Sequence, residues 1–442
     1  MIKNILKRAI TICCAVLLFI GCGTFLNYIL VDDTKSFTRI MFHQMYYSPK
    51  NIDIVFLGSS HVYRALIPEI TDKVFGKYTF NAGTSSQALD GSFALLQEIC
   101  ACHKPEQVYL ELYYAIADAE EYKDREQMVA TYIVSDYMRP SFRKFEYLVN
   151  ASADSHYVNS FIPARRNWHT LFQPKYIYNL IKKKQSEDYK NYRWVKDNKE
   201  YYVDRGFVAN DEVVDPDEYW NKLAYGNIEK AVKLTEKNDW YRSLKNIITY
   251  CKKNNIKLTL FVVPEPEWTL VGKGNYQKYH DMVQTIADSN EIGFYDFNFC
   301  KSQFFDTRDY KLFKDEHHLN TVGAKEFSKL FSRFFTGQLS REALFYSSFA
   351  EKLAEEKPTV YGFAGLNIDS KQKVRNGYII SNREQGLEYK IEIVTAESKK
   401  RILQDFSKNK NFTLPLKEKG VLKVSWRLEN SPEQIFTLET GY

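Results

Sequence analysis

A serine that follows a short, largely apolar run is the residue whose position most suggests covalent chemistry. Ser60 stands in Gly58-Ser59-Ser60-His61, directly after residues 52–57. A serine hydroxyl is a useful nucleophile only when a base takes its proton and a hydrogen-bond donor receives the developing oxyanion. At a strand-to-helix turn, the backbone N–H of Ser60 lacks an acceptor within the helix and can be that donor. Capping of the following helix is the alternative role of Ser60.

A histidine and a carboxylate far along the chain have the spacing of a catalytic pair. Asp315 precedes His318 by three residues, at the entry to a predicted helix. The carboxylate can accept from one ring nitrogen and leave the other to take the serine proton. We therefore predict a triad of Ser60, His318 and Asp315. The neighbouring His317 is the alternative base, and a structural hydrogen bond is the alternative role of either histidine.

The elements that must position these residues alternate between strands and helices. Apolar runs predict strands over 52–57, 107–114, 257–263 and 293–297, with an extended segment before Gly83. Helical periodicity predicts helices over 65–75, 87–102, 240–254, 276–289 and 324–335. Such alternation is typical of parallel strands joined by crossover helices. The sequence therefore predicts an α/β fold with a flavodoxin-like, three-layer parallel sheet.

Two regions depart from this alternation. Residues 116–239 are rich in charged and aromatic side chains, without the character of buried strands, and predict a helical insertion. Residues 341–356 predict a connector helix, and period-two alternation predicts a small antiparallel sheet or sandwich with strands over 377–382, 388–395, 411–415 and 420–428. We predict three units: an N-terminal transmembrane signal anchor (1–31), the α/β domain (32–340) and a C-terminal β-rich accessory domain (341–442).

The N-terminus predicts the compartment. Residues 9–30 hold no charged side chain, and as a helix they are long enough to cross a hydrocarbon layer of ~30 Å. Basic residues precede this stretch and acidic residues follow it: Lys3, Lys7, Arg8, Asp32 and Asp33. The positive-inside bias then predicts a single-pass anchor in the cell membrane, with the remaining chain outside the cytoplasm. A cleaved signal peptide is the alternative.

Composition excludes several other classes. The net charge of +6 over 442 residues, with both signs interspersed, gives no footprint for nucleic-acid binding. The cysteines outside the apolar N-terminal stretch have no metal-ligand spacing and predict free, buried thiols rather than a disulfide framework. We predict no metal and no cofactor. Glu265 and Glu267 follow a predicted strand and are predicted to lie in a substrate-facing or solvated loop, with glycosidase chemistry by this pair as a weaker alternative.

Three motifs together resemble those of the SGNH/GDSL hydrolase-like superfamily, in particular a membrane-anchored bacterial branch similar to the D-alanyl transfer protein of teichoic-acid modification. The matching segments are Gly58-Ser59-Ser60, Asn81-Ala82-Gly83 and Asp315-x-x-His318-Leu319-Asn320-x-x-Gly323, and the resemblance covers roughly 50–120 and 240–336. It implies that Ser60 is the nucleophile, His318 the base and Asp315 the residue that orients it. It also implies that the backbone N–H groups of Ser60 and Gly83 receive the oxyanion.

One block departs from the superfamily. Members usually supply an asparagine side chain to the oxyanion hole just after the third strand, whereas here that strand runs into Glu111-Leu112-Tyr113-Tyr114. One such donor can contribute ~3 kcal/mol to transition-state stabilisation. We predict Ser85 and Gln87 as substitutes, with capping of the next helix as the alternative role. His61 and Arg64 are predicted to line the mouth of the pocket, with a solvated first helical turn as the alternative.

These predictions combine into one function. The chain is predicted to be a membrane-anchored, extracytoplasmic serine esterase or acyltransferase that removes or transfers acetyl or D-alanyl groups on a cell-envelope glycopolymer. Expected partners are the membrane, a polysaccharide or teichoic-acid-like acceptor and a membrane-bound acyltransferase. The alternative is a catalytically degenerate domain of the same fold that binds the polymer or the partner.

Overall fold

The structure is a computed structural model that describes residues 2–114, 128–196, 198–215, 238–273, 276–369, 371, 373–383, 385–395, 397–415, 417 and 419–441. The α-helices, in chain order, are α1 (Ile2–Leu30), α2 (Phe37–Tyr46), α3 (Ser60–Ala65), α4 (Pro68–Phe75), α5 (Leu89–Cys102), α6 (Val129–Ser135), α7 (Phe142–Ala151), α8 (Tyr157–Phe161), α9 (Pro163–Arg166), α10 (Pro174–Lys184), α11 (Glu187–Lys190), α12 (Asp239–Lys253), α13 (Glu267–Lys273), α14 (Tyr276–Ser289), α15 (Thr321–Phe335), α16 (Arg341–Leu344) and α17 (Phe349–Glu355). The strands are β1 (Ile54–Gly58), β2 (Thr79–Gly83), β3 (Gln107–Glu111), β4 (Glu200–Asp204), β5 (Phe207–Asn210), β6 (Lys257–Val262), β7 (Gly293–Asp296), β8 (Val360–Asp369), β9 (Val374–Ser381), β10 (Leu387–Thr395), β11 (Lys400–Ser407), β12 (Asn411–Pro415), β13 (Gly420–Leu428) and β14 (Ser431–Gly441).

The central sheet is parallel throughout and has the order β2-β1-β3-β6-β7. Side chains of β1 alternate between its two faces. Val55 packs in one apolar cluster with side chains of α5 and α12, whereas Phe56 packs in a second cluster, against Phe331 of α15. Helices therefore cover both faces. In chain order the five strands follow the flavodoxin-like pattern 2-1-3-4-5, which confirms the predicted three-layer α/β fold.

The predicted core elements are present with shifted ends. The helix predicted over 65–75 is confirmed as α4, which begins at Pro68, since proline lacks an N–H and suits the first turn of a helix. A separate short helix, α3, precedes it and was not predicted. The third strand ends at Glu111 rather than at Tyr114. The connector helix predicted over 341–356 is likewise two short helices, α16 and α17.

The insertion is only partly helical. Helices α6 to α11 confirm its predicted character, but the expectation that it lacks buried strands was wrong, because β4 and β5 form a hairpin whose second strand is fully buried. This hairpin docks beside β2. Asn81 donates its backbone N–H to the Arg205 carbonyl at 3.0 Å, and the Arg205 guanidinium pairs with Asp72 at 2.6 Å. The insertion therefore packs on the core instead of projecting from it.

The C-terminal region is a β sandwich, as predicted. One sheet has the order β11-β10-β13-β14 and the other β12-β9-β8, with an apolar cluster between them. Strands β8, β11 and β14 were not predicted. Contact with the α/β core is made by a buried ion pair between Lys352 and Glu267 at 3.4 Å, and the Tyr361 hydroxyl bonds the same carboxylate.

Helix α1 covers the segment predicted as a transmembrane anchor, and its C-terminal end contacts the insertion. Ala164 donates its backbone N–H to the Asn27 side chain at 2.8 Å, and the Lys184 ammonium donates to the Val31 carbonyl at 2.6 Å. Over the part of the chain that is described, none of the helices has both the length and the apolar character required to cross a membrane. The four cysteines predicted to be buried thiols are free thiols, and Cys251 and Cys300 are buried. The prediction of burial was wrong for Cys102, which is exposed, and Cys100 is only partly buried.

Candidate active site

The turn between β1 and α3 holds the predicted nucleophile at the carboxyl end of a central strand. Ser60 is the first residue of α3, and the residue that caps the helix is Ser59, whose Oγ accepts the His61 N–H at 3.3 Å. The capping role considered for Ser60 therefore belongs to its neighbour. Gly58 has φ +155°, and a Cβ there would lie 2.6 Å from a Glu111 carboxylate oxygen. Only glycine permits this close approach.

Ser60, His318 and Asp315 lie in one hydrogen-bonded chain. Ser60 Oγ is 2.8 Å from His318 Nε2. His318 Nδ1 is 2.9 and 3.0 Å from the two carboxylate oxygens of Asp315. The His318 side chain is 19% exposed and that of Asp315 24% exposed, so a substrate can reach the chain from solvent.

The loop before α15 is rigid for local reasons. The Asp315 carboxylate accepts the backbone N–H groups of His317 and His318 at 2.9 and 2.8 Å. Asn320 caps α15 by accepting the Gly323 N–H at 3.0 Å, and a Cβ at Gly323 would collide with the Leu312 carbonyl. Asp315 thus fixes both the backbone and the ring of the residue that it orients.

The surroundings of the two residues keep Asp315 ionised and His318 neutral. Burial acts to raise the pKa of Asp315, but the hydrogen bond and charge of His318, the His317 N–H and the charge of Lys314 outweigh it and hold that pKa well below its usual range. Burial lowers the pKa of His318 below 6.5, and the nearby charges of Arg64 and Lys314 lower it further, while Asp315 opposes the shift. His318 is therefore neutral near pH 7 and able to accept a proton.

The second histidine has other partners. His317 Nδ1 lies 3.2 Å from Glu265 Oε2 and 3.3 Å from the Tyr113 hydroxyl. Its ring nitrogen is thus held by a carboxylate, and the histidine beside Ser60 is His318. Glu265 is fully buried at this contact, and Glu267 is buried in the ion pair with Lys352. The two glutamates have separate structural partners, which does not fit an opposed acid and base at a sugar.

The predicted oxyanion donors differ in what they contact. The Ser60 N–H is at the first position of α3, where no intrahelical acceptor exists. The Gly83 N–H donates to the Asn81 side chain at 3.2 Å. Ser85 Oγ lies 3.1 Å from the Tyr63 hydroxyl. Both ends of the Gln87 amide are engaged within its own segment, where Thr84 donates to it and it donates to Ser92.

The Glu111 carboxylate and the His61 ring are buried beside the turn that holds Ser60, and the sequence alone did not predict their contacts. Glu111 Oε2 accepts both the backbone N–H and the hydroxyl of Ser59, at 3.0 and 3.1 Å. His61, predicted at the pocket mouth, is buried instead, with its ring between those of His318 and Tyr113 at centroid distances of 4.7 and 4.0 Å. The expectation for His61 was wrong because α3 turns this side chain inward.

Arg64, also predicted at the pocket mouth, is buried and pairs with a charged residue of the insertion. Arg64, four residues after Ser60 on α3, is 6% exposed and pairs with Glu200 of β4 at 3.0 Å. The segment after β5 reaches the loop that carries His318, since Asn320 donates to the Glu212 carbonyl at 3.1 Å. The described residues hold no group of histidine, cysteine or acidic side chains arranged for a metal ion.

The parallel sheet and the contacts among Ser60, His318 and Asp315 at its carboxyl edge agree with the fold and the site that the sequence resemblance implies. The solved structures that match the chain include three bacterial proteins. They are a candidate acylhydrolase from Bacteroides fragilis (12% identity, TM-score 0.30, 67% of this chain and 95% of that one), a GDSL-like lipase from Bacteroides thetaiotaomicron (11%, 0.29, 65% and 89%) and a candidate platelet activating factor from Streptococcus pneumonia (12%, 0.31, 73% and 98%). No protein-family model matches the sequence, and a search of curated proteins finds no match.

Glu111 gives the nucleophile turn a pH-dependent stability. Burial raises the pKa of Glu111 from 4.5 to about 7, and Glu265 adds to the shift, while the Ser59 hydrogen bonds oppose it. Between these two pKa values the folded chain keeps a proton that the unfolded chain loses, so the free energy of unfolding falls as pH rises. Without this carboxyl, the free energy of unfolding should fall by roughly 2 to 3 kcal/mol less between pH 5 and pH 8.

The test is Glu111→Gln, which keeps an acceptor for the Ser59 N–H. We expect the urea midpoint of the variant to fall less than that of the wild type between pH 5 and pH 8. The matched control is Glu355→Gln, at an exposed position on α17, which should follow the wild type. Parallel pH dependence of Glu111→Gln and wild type would show that Glu111 is ionised in the folded protein.

Proposed function

We propose that the protein is a serine esterase or acyltransferase that acts on O-acyl groups. The observation that carries the proposal is the contact of 2.8 Å between Ser60 Oγ and a His318 ring whose other nitrogen is bonded to Asp315. His318 takes the hydroxyl proton as Ser60 attacks the ester carbonyl, and Asp315 stabilises the imidazolium that forms. The Ser60 N–H is the donor best placed for the tetrahedral oxyanion.

His318 gives its proton to the departing alcohol, which leaves the acyl group bonded to Ser60. Either water or an acceptor hydroxyl then attacks this acyl-enzyme. The first acceptor gives hydrolysis and the second gives transfer. We propose acetyl or D-alanyl groups on a cell-envelope glycopolymer as the substrate, following the resemblance of the motifs to the D-alanyl transfer branch, and a membrane-bound acyltransferase as a partner.

A specific observation favours the second candidate function, a degenerate domain that binds the polymer or a partner. The Gly83 N–H donates to the Asn81 side chain, and the third block offers no asparagine. The Ser60 N–H therefore has fewer neighbouring donors with which to bind an oxyanion. A hole short of one donor can lose ~3 kcal/mol of transition-state stabilisation. The intact contact between Ser60 and His318 supports the enzyme over this alternative.

Labelling with a fluorophosphonate separates the two candidates. The probe bonds to an activated serine oxygen and releases fluoride, so we expect wild-type protein to be labelled and Ser60→Ala to remain unlabelled. Ser289→Ala, at an exposed serine on α14, is the matched control and should label like the wild type. Folded wild-type protein that fails to react would favour the binding module.

We also propose that the chain is anchored to the membrane at α1, with the α/β domain outside the cytoplasm. Two features support this proposal besides the uncharged stretch 9–30. The neighbouring insertion exposes large apolar side chains, with Phe142, Trp168 and Phe172 at 77%, 58% and 76% exposure. It is also basic: residues 139–184 hold nine basic and two acidic side chains, a charge of +7 against +6 for the whole chain. Aromatic and basic residues suit an interface with anionic lipid.

Fractionation of a bacterial host that expresses the full chain tests the anchor. We expect the protein in the membrane pellet after alkaline extraction, and release of a Leu17→Arg, Leu18→Arg variant into the soluble fraction. Leu17→Ile, Leu18→Ile is the matched control and should stay in the pellet. Soluble wild-type protein would contradict anchoring and leave the esterase proposal unaffected.

A further inference from the structure

Arg64 carries hydrogen-bond donors that the described part of the chain leaves unused. Its side chain is 6% exposed, and Nη2 pairs with Glu200 at 3.0 Å. Nε and Nη1 are buried and reach no hydrogen-bond partner. A buried N–H without an acceptor carries the full cost of its desolvation, which an arriving acceptor removes. These two donors of the guanidinium therefore remain without hydrogen bonds until an acceptor from outside the described chain reaches them.

The position of Arg64 on α3 places its side chain on the helix face that also carries Ser60. Residues four apart on a helix share one face, and helical side chains lean back toward the N-terminal end. Arg64 and Ser60, the first residue of α3, therefore lie on one face of the helix. The guanidinium charge is also near enough to act on His318. The unused donors and the reacting groups thus lie in one region of the site.

We propose that Arg64 binds an anionic oxygen group, a phosphate or a carboxylate, on the alcohol part of the ester substrate. This inference rests on the proposed esterase function. Because neither an acetyl nor a D-alanyl group is negatively charged, the anion belongs to the polymer from which the acyl group is removed. Arginine matches both anions, since its planar donors fit carboxylate and phosphate oxygens.

Glu200 makes the inference testable in two directions. This carboxylate is 31% exposed and neutralises part of the guanidinium charge. It also competes with an incoming anion for Nη2. Removing Arg64 should therefore weaken the binding of an anionic ester, while removing the Glu200 charge should strengthen it. A merely structural ion pair would give losses from both changes.

The experiment compares three esters that differ only in charge: O-acetylglycerol, O-acetylglycerol phosphate and O-acetylglycerate. For the full chain we measure acetate release. Arg64→Gln should raise KM for the anionic esters ~10-fold or more and change KM for the neutral ester less than ~3-fold, since hydrogen bonds to charged groups are stronger than neutral ones. The phosphate and glycerate arms show which anion is preferred. Equal losses on all three esters would overturn the proposal.

Two further variants test the proposal even if the Arg64→Gln protein does not fold. Glu200→Gln should lower KM for the anionic esters by a larger factor than KM for the neutral ester. Arg64→Lys, which keeps the charge without the planar fork, should recover part of the affinity. Arg308→Gln is the control for loss of an arginine paired with a glutamate elsewhere, here Glu356 at 3.0 Å, and should not alter charge preference. A Glu200→Gln variant that weakens anionic binding would contradict the proposal.

Protection from the fluorophosphonate separates this inference from the function on which it rests. Labelling of Ser60 without added anion reports the esterase. Slowing of that labelling by inorganic phosphate in the wild type, and its absence in Arg64→Gln, reports the anion site. Wild-type protein that labels at the same rate with and without phosphate would reject the anion site alone. Unlabelled wild-type protein would reject the esterase.

Discussion

Replacing either Ser60 or His318 by alanine is expected to lower kcat for hydrolysis of 4-nitrophenyl acetate by a factor on the order of 10⁴ to 10⁶, and replacing both is expected to lower it no further. The physical reason is that the two residues act as one unit. In the proposed mechanism their contact of 2.8 Å moves a single proton, which neither partner can do alone. The residual rate then reports only binding and the remaining hydrogen-bond donors.

The neighbouring histidine is the control for this series. His317 is bonded to Glu265 and Tyr113, so His317→Ala should cost less than about tenfold, through loosening of the loop. Rates of the single and double variants decide the assignment. If the losses from Ser60→Ala and His318→Ala multiplied in the double variant, the two side chains would act independently and the triad would be rejected.

Asp315→Asn is expected to lower kcat by a factor of about 10³ to 10⁴ and to move the acid limb of the pH profile to lower pH. The amide can donate to His318 Nδ1, which leaves the proton on Nε2 and blocks its use as a base. The shift follows from the charges. Asp315 raises the pKa of His318, so its removal leaves burial, Arg64 and Lys314, all of which lower that pKa. The base is then neutral at lower pH, although weaker.

The pH dependence of kcat/KM measures this prediction, because it reports the ionisation of the free enzyme. In the wild type the limb should lie below the ordinary histidine pKa of 6.5, since burial is the largest influence on His318. Asp309→Asn, at the cap of a short turn in the same loop region, is the control and should leave the limb in place. An acid limb that moves upward in Asp315→Asn would mean that another group titrates.

The parallel core was predictable because its signals are local. Each buried strand is a short apolar run between helices with a clear 3.6-residue period, and such runs fix both the type and the order of the elements. The β4–β5 hairpin was missed because Glu200–Asp204 carries charge and is only partly buried. Its stability comes from contacts with Asn81 and Asp72, far away in the sequence. Strands β11 and β14 are similarly half-exposed.

The residues of the site likewise fall into those that the sequence predicts and those that it does not. Ser60, Asp315 and His318 were predictable because a turn motif and a three-residue spacing mark them. Glu111 gave no such signal, since a glutamate at the end of a strand becomes informative only when Ser59 is seen above it. Glu200 lies in a region whose fold the sequence did not reveal. Its pairing with Arg64 depends on how the hairpin docks, which no local pattern encodes.

The distance along the chain between nucleophile and base has a consequence for folding. Ser60 and His318 are 258 residues apart, on opposite ends of the α/β domain. Contacts of such high sequence separation form late, because the entropy of closing a long loop must be overcome first. During synthesis the serine therefore emerges long before its base, as an ordinary hydroxyl. In the proposed enzyme, reactivity toward acyl groups is therefore acquired only in the finished domain.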